Sequence, residues 1–133
     1  MALSTPLTRA AGIEVPLVCG AMYPCSNPEL VAAVSEAGGI GIVQPISLTY
    51  VHGHDFREGL RLIRRLTSKP IGMNALIEQS SKAYRERMER WIDVALEEEQ
   101  PGPRLTHNIN GLTTQLALHA VEHPVPQEMP AGK

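Results

Sequence analysis

The sequence predicts an α/β fold in which three parallel β-strands alternate with three helices. Short apolar runs at Val15–Met22, Ile40–Pro45 and Pro70–Ile77 have the length of strands. Each run is followed by an amphipathic pattern with a helical period, which is the order that βα units of a parallel sheet produce. The runs are apolar almost throughout, as is typical of strands that are buried on both faces.

The first βα unit begins with the apolar segment Val15–Cys19. The segment ends at small residues starting with Gly20, which let a ligand or another backbone approach closely. Two N-caps are open for the helix that follows. One is Ser26, which has capping-box spacing to Glu29, and the other is Asn27, which precedes a proline. A pair of glycines predicts the end of this helix.

The second unit carries a longer loop, Ile46–His54, and a helix with a clear start signal. Asp55 and Glu58 have the spacing of an N-cap residue and its N3 partner. Apolar residues then recur at helical intervals, and arginines occupy the other sides, which predicts a solvated helix face. The apolar positions are Phe56, Leu60, Ile63 and Leu66, and the arginines are Arg57, Arg61, Arg64 and Arg65.

The third unit has the strongest helical pattern in the chain. Its apolar residues recur at helical spacing and predict one core-facing stripe on a helix that ends near Glu98. Trp91 lies on this stripe and is interpreted as a core residue, not as a platform for a ligand. The stripe consists of Tyr84, Met88, Trp91, Ile92, Ala95 and Leu96.

The pattern changes after Glu99, and we predict a boundary there between residues 1–99 and an atypical Pro-rich tail, residues 100–133. Five of the eleven prolines lie in that tail, so no fourth strand is predicted. Asn110–His123 is consistent with one helix, and residues from Pro124 onward have the composition of a disordered segment. The length of 133 residues excludes a complete eightfold barrel, which needs at least about 200.

Charge and hydropathy narrow the possible functions. The formal net charge of −2 offers no electrostatic footprint, so neither nucleic acid nor a membrane is a predicted partner. No apolar run approaches the ~20 residues of a membrane span, and residues 1–4 lack the pattern of a secretory signal. A cytoplasmic location is therefore predicted. Cys19 and Cys25 lack C-x-x-C spacing and are expected to stay reduced.

Two kinds of polar residue are candidates for a functional site. Asn74 interrupts an apolar strand near its carboxyl end, where parallel α/β folds bind their ligands. Its amide has both donors and an acceptor to satisfy, and either a ligand or the backbone of a neighbouring loop would do so. His52 with His54, and His119 with His123, are spaced like metal ligands, but two ligands do not make a site. No metal is predicted.

Three segments of the chain stand in a specific order: P-L-V-C-G-A-M, N-P-E-L-V-A-A-V-S-E-A-G-G-I-G and K-P-I-G-M-N. With them, residues 12–96 resemble the N-terminal portion of the nitronate monooxygenase family, also called 2-nitropropane dioxygenases. The resemblance implies FMN bound at the strand C-termini of a (β/α)₈ barrel. The fold expected here is thus a partial TIM-type (β/α) barrel of the first three βα units, with an irregular or helical C-terminal tail.

By this resemblance the cofactor-binding residues are Gly20, Ala21, Met22 and Asn74. Ala21 and Met22 correspond to the segment whose backbone borders the flavin ring, and Gly20 precedes them. Asn74 matches a third-strand Asn that hydrogen-bonds FMN. The catalytic His of the family and its phosphate-binding loops belong to later barrel strands, so no catalytic residue is assigned.

The function implied by the resemblance is FMN-dependent oxidation of alkyl nitronates with O₂, with low or no activity expected for this chain alone. Two alternatives stay open: a non-catalytic barrel remnant, and a fragment of a related flavin-dependent enoyl-acyl-carrier-protein reductase, because such reductases share the three segments. A sheet of three strands would leave its edges unpaired, which favours self-association.

Overall fold

The computed structural model describes residues 3–76, 81–98, 105–110 and 113–118, which form one five-stranded sheet covered by helices. In chain order the elements are α1 (Pro6–Ala11), β1 (Val18–Cys19), α2 (Pro28–Glu36), β2 (Ile40–Val43), a π-helix (Ser47–Val51), α3 (Phe56–Leu66), β3 (Ile71–Asn74), α4 (Lys82–Glu98), β4 (Leu105–Asn110) and β5 (Thr113–Leu118).

The strands lie in the sheet in the order in which they occur in the chain. β1, β2 and β3 pair in parallel, with Val18 opposite Ile40 and Val43 opposite Met73. The predicted alternation of three parallel strands with helices is confirmed. Each strand is shorter than its apolar run, because only residues that lie opposite a neighbouring strand complete the ladder.

The structure corrects the prediction for the segment after residue 99. Leu105–Asn110 is a fourth strand, parallel to β3, and Thr113–Leu118 is a fifth, antiparallel to β4. The predicted helix Asn110–His123 is therefore wrong over Thr113–Leu118, and the tail is neither irregular nor helical in these two strands. Asn110, the last residue of β4, is followed in the sequence by a glycine, and such an Asn-Gly pair is a hairpin signal that the leucine spacing obscured.

The division into residues 1–99 and 100–133 stays a prediction. β4 pairs with β3 and so belongs to the same sheet. The disorder predicted from Pro124 onward concerns residues 124–133, which lie outside the described residues.

Side-chain caps begin α2 and α3 where the sequence predicts them. The Asn27 side chain accepts a hydrogen bond from the N–H of Leu30 at 2.7 Å, which makes Asn27, not Ser26, the N-cap of α2. The Asp55 carboxylate accepts hydrogen bonds from two N–H groups in the first turn of α3. Each cap fixes the residue at which a strand-end loop becomes a helix.

Two apolar clusters lie on opposite faces of the sheet, because successive strand residues point to opposite faces. Ile40 and Ile42 of β2 pack with Ala11 and Ile13 at the end of α1. The alternate residue Val43 joins a larger cluster beneath the other three helices, together with Val31, Leu48, Phe56, Leu60, Ile63, Ile71, Met73, Ala75 and Met88.

The predicted stripe of α4 faces this larger cluster over most of its length. Met88 is buried, and Trp91 packs against the cluster, as its interpretation as a core residue requires. Leu96 departs from the prediction, because it is 46% exposed. The stripe therefore reaches the core as far as Ala95.

α2 lies in direct backbone contact with β2 at Gly41. A Cβ atom on residue 41 would lie 2.2 Å from the carbonyl oxygen of Val31 and 2.7 Å from its Cα. Both are backbone atoms of α2, so no side-chain rotation would relieve the clash. α2 can approach β2 this closely only because residue 41 has no side chain.

We expect Gly41→Ala to lower the free energy of unfolding by at least about 1–3 kcal/mol, the usual cost of overpacking a core. Gly20→Ala is the matched control, because a Cβ at residue 20 meets no atom within 4 Å. That change should be neutral or stabilising by up to about 1 kcal/mol. Denaturant unfolding of both variants measures the difference, and equal stabilities would contradict the close contact.

Two of the four arginines of α3, Arg57 and Arg61, form ion pairs, which corrects the prediction of a solvated face at these two positions. Arg61 donates two hydrogen bonds to the carboxylate of Glu98 in α4, at 2.9 and 3.0 Å. Arg57 pairs with both Glu97 and Glu98. The Glu98 side chain is only 16% exposed, and the guanidinium groups of Arg61 and Arg57 lower its pKa from 4.5 to about 2.

Acid should therefore weaken the contact between α3 and α4 in a defined pH range. Because the pKa of Glu98 is lower in the folded chain than in the unfolded one, its stabilisation is complete above about pH 4.5 and is lost as the pH falls towards about 2. Glu98→Gln should lower the melting temperature at neutral pH and flatten its decline in this range. Glu89→Gln, an exposed position of the same helix, should leave the pH profile unchanged.

Candidate functional site

The carboxyl ends of β1, β2 and β3 meet at one edge of the sheet because the three strands are parallel. Val43 lies opposite Met73, so the next residues along, Gln44 and Asn74, are level with each other at this edge. The segment that starts at Gly20 follows β1 at the same edge. In parallel α/β folds this edge is where ligands bind.

Asn74 is the last residue of β3 and is 7% exposed. Its side-chain oxygen Oδ1 is buried and accepts no hydrogen bond from the part of the chain that the structure describes. A buried acceptor without a partner costs about 1–3 kcal/mol. The described loops provide no backbone donor to this oxygen.

Gln44 is a polar residue of this edge that the site prediction did not include. Its side-chain oxygen Oε1 accepts a hydrogen bond from the hydroxyl of Ser47, a buried residue of the π-helix. With its oxygen engaged, its amide nitrogen donates no hydrogen bond to the described residues. The signal in the sequence was its position directly after a buried strand.

The predicted residues after β1 form an open loop at the same edge. Gly20 and Met22 are exposed, whereas Ala21 is half-buried against the cluster that contains Ile40 and Ile42. The N–H of Met22 donates to the hydroxyl of Ser26 at 2.8 Å, which closes the loop just before α2. A Cβ on residue 20 would meet no atom, so the space beside the Gly20 backbone is free.

The structure brings the four predicted cofactor-binding residues to one edge but not into mutual contact. β2 lies between β1 and β3, so two strand spacings, about 10 Å, separate the loop at Gly20 from Asn74. Gln44 lies in the interval. A flat, extended ligand would be needed to touch the loop and Asn74 at once.

The histidine pairs considered as metal ligands make no such site in the described residues. The His52 ring contacts the carbonyl oxygen of Pro24 through Nε2 at 3.0 Å, and no group of three candidate ligands occurs within the described ranges. His119 and His123 lie outside them. Cys19 and Cys25 are both free. Among the described helices, none is both long and apolar enough to cross a bilayer.

The geometry defines part of an α/β barrel wall, and comparison with known proteins specifies its family. The profile of the nitronate monooxygenase family matches residues 4–126. The chain therefore belongs to the nitronate monooxygenase family. The matched region includes β4 and β5 and so extends past the predicted boundary at residue 99.

Individual relatives agree with this assignment. The chain is 36% identical over 86 residues to the nitronate monooxygenase of Pseudomonas aeruginosa, an alignment that covers 65% of the chain and 24% of the relative. It is 32% identical over 83 residues to (3aS,4S,5R,7aS)-5-hydroxy-7a-methyl-1-oxo-octahydro-1H-indene-4-carboxyl-CoA dehydrogenase of Rhodococcus jostii, covering 62% of the chain and 23% of the relative. The chain thus spans about a quarter of the length of these relatives.

Solved structures support the fold. The M276A variant of FabK from Thermotoga maritima superposes with a TM-score of 0.64 at 29% identity, over 83% of this chain and 33% of that one. Nitroalkane oxidase from Streptomyces ansochromogenes superposes with a TM-score of 0.56 at 22% identity, over 77% of this chain and 36% of that one. The predicted partial TIM-type barrel is confirmed by these superpositions.

Proposed function

We propose that this chain forms the flavin-ring edge of an FMN-dependent oxidoreductase of the nitronate monooxygenase type, which oxidises alkyl nitronates with O₂. The observation that carries the proposal is the buried, unpartnered oxygen of Asn74 at the carboxyl edge of a parallel sheet. Family membership supports the choice of FMN and of a nitronate substrate. The predicted cytoplasmic location is part of the proposal.

The residues present fit the ring of FMN. One edge of an isoalloxazine ring carries an N–H donor between two carbonyl acceptors, and Asn74 offers a buried acceptor to that donor. Gln44, level with Asn74, has an amide nitrogen that can donate to a carbonyl. The exposed backbone from Gly20 to Met22 would border the same ring, with Ala21 packed beneath it. Bound FMN would supply the redox chemistry.

The roles of this chain's own residues are binding and orientation. Asn74 would hold one edge of the ring, and the loop after β1 would limit its tilt. Neither Gln44 nor Asn74 carries a proton that titrates near neutral pH, so neither is proposed as an acid or base. No catalytic residue is proposed, and the two alternatives stated above, a barrel remnant and a reductase fragment, are outcomes of the tests below.

Asn74→Leu tests the cofactor role because its effects on binding and on stability have opposite signs. Without FMN, replacing a buried amide whose oxygen has no partner by an apolar side chain of similar size should leave the stability unchanged or raised. FMN affinity should fall by about 1–3 kcal/mol, or roughly five- to a hundredfold, because the ring donor loses its acceptor. Quenching of flavin fluorescence measures the affinity, and denaturant unfolding measures the stability.

Ser35→Ala is the control for this comparison. The Ser35 hydroxyl accepts from the N–H of Gly41 at 3.1 Å and donates to the carbonyl of Pro70 at 2.8 Å, at the other end of the strands. Ser35→Ala should lower the free energy of unfolding. Its FMN affinity should equal that of the unmodified chain when the two are compared at equal concentrations of folded protein. If Asn74→Leu binds FMN as tightly as the unmodified chain, the cofactor role of Asn74 is wrong and the barrel-remnant alternative gains support.

We expect the chain alone to consume oxygen with propyl nitronate far more slowly than the ~1–10³ turnovers per second typical of enzymes. The described part provides no more than one edge of the site, and the chain spans about a quarter of the length of its relatives. An oxygen electrode with excess FMN and a heat-treated control measures the rate. Turnover in the ordinary range would show that residues of this chain supply the groups assigned to later strands.

Self-association remains a prediction of the same proposal. Among the described strands, β1 pairs only with β2. Leu17, directly before β1, and Val18, in β1, are 53% and 36% exposed. An unpaired strand edge with apolar side chains is a template for pairing with another chain.

A further inference from the structure

One side chain connects the two loops that follow β1 and β2. The Nε2 atom of His52 lies 3.0 Å from the carbonyl oxygen of Pro24, although 28 residues separate the two in sequence. The carbonyl can only accept, so Nε2 carries the proton and donates. His52 lies directly after the π-helix, and Pro24 lies in the loop that begins at Gly20.

The loop receives little other support from outside itself. Its remaining hydrogen bonds are local: Met22 and Ser26 exchange two at 2.8 Å, and the N–H of Asn27 donates to the carbonyl of Cys25 at 2.8 Å. Met22, Tyr23 and Cys25 are exposed. Within the described residues, the bond to His52 is the one hydrogen bond that ties residues 21–25 to a distant part of the chain.

His52, in contrast, is held in place by the π-helix that precedes it. Its N–H donates to the carbonyl of Ser47 at 2.9 Å, which closes the last turn of the π-helix. Leu48 of that helix is 1% exposed and fills the space beside Gly59, where a Cβ would lie 2.7 Å from its side chain. The side of the π-helix that carries Tyr50 packs on α4.

Tyr50 of the π-helix contacts two residues of α4. The Tyr50 ring meets the ring of Trp91 edge-on, with centroids 6.3 Å apart, and the guanidinium of Arg87 lies 5.4 Å from its centre. Both contacts are favourable, because aromatic rings attract each other edge-to-face and a cation is attracted to the face of a ring. The π-helix is thus bound to both α3 and α4, and π-helices occur frequently at functional sites.

We propose that His52 is a positioning residue for the cofactor edge: its Nε2–H holds the loop of residues 21–25 in the conformation that borders the flavin ring. This inference rests on the proposed function, because it assigns the reason for holding the loop. The ordering of the loop by His52 does not depend on FMN, because it follows from the 3.0 Å contact between His52 and Pro24.

The chemistry of the contact predicts which substitutions preserve it. Glutamine places an amide N–H₂ at nearly the same reach as Nε2 and can donate to the Pro24 carbonyl, whereas alanine cannot donate at all. His54→Ala is the matched control, since His54 is half-buried two residues away and its ring makes no hydrogen bond within the described residues.

Cys25 provides a readout that does not depend on FMN. It is exposed, free and adjacent to Pro24. In a Cys19→Ser background it is the single thiol of the chain, so its rate of reaction with dithionitrobenzoate reports the order of the loop. We expect His52→Ala to change this rate several-fold, and His52→Gln and His54→Ala to react like the parent.

FMN titration of the same variants gives the second readout. His52→Ala should weaken FMN binding several-fold and His52→Gln should restore it, with melting temperatures recorded for all variants. If His52 had only a structural role, His52→Ala would have a lower melting temperature, and His52→Gln would not restore the FMN affinity.

The outcomes separate the two proposals. An unchanged thiol rate in His52→Ala overturns the inference, as does a changed rate with unchanged FMN affinity. If the parent chain binds no FMN, the proposed function fails, and a glutamine-rescued change in thiol rate still supports the ordering of the loop by His52.

Discussion

The backbone contact between α2 and β2 at Gly41 is the constraint on which the rest of the structure depends. A Cβ atom on residue 41 would lie only 2.2 Å from the carbonyl oxygen of Val31 in α2, so the contact requires glycine. The Ser35 hydroxyl then reaches both the Gly41 N–H and the Pro70 carbonyl, which ties the end of α2 to β2 and to the start of β3. Helix and strands are therefore held together at the amino edge of the sheet by short contacts that any larger residue at position 41 would break.

The opposite edge of the sheet is built differently. Ser35 uses its hydroxyl as donor and acceptor within the protein, whereas the Asn74 oxygen at the carboxyl edge is buried and has no partner among the described residues. Evolved interiors rarely leave a buried acceptor unsatisfied, because the cost is about 1–3 kcal/mol. This difference between the two edges is the observation behind the proposed flavin site, and membership of the nitronate monooxygenase family supports the choice of ligand in that proposal. The loops that frame this edge are held in turn by the π-helix and by the contact of His52 with Pro24.

The outer layer of the wall is stabilised by charge as well as by apolar packing. Glu98 accepts from Arg61 and Arg57 and so joins α4 to α3 at the surface, while Trp91 joins them in the interior by its contact with Phe56 at 5.7 Å. The helix spacing could predict which residues of α3 face solvent on average. It could not predict that acidic residues from the end of α4, about forty positions away, would meet them.

The sequence by itself determined the three parallel βα units, the cap at Asp55 and the family resemblance carried by the segments around Met22 and Asn74, because these follow from local periodicity, capping chemistry and short motifs. It left Ser26 and Asn27 as alternative caps of α2, and the structure decided for Asn27. Only the tertiary structure decided that the Asn74 oxygen has no partner among the described residues, that Gln44 lies level with Asn74, and that His52 reaches Pro24. It also decided that Leu105–Asn110 adds to the sheet as a fourth strand. Each of these depends on strand register or on a contact between distant residues, and a one-dimensional pattern carries no information on which groups finally meet.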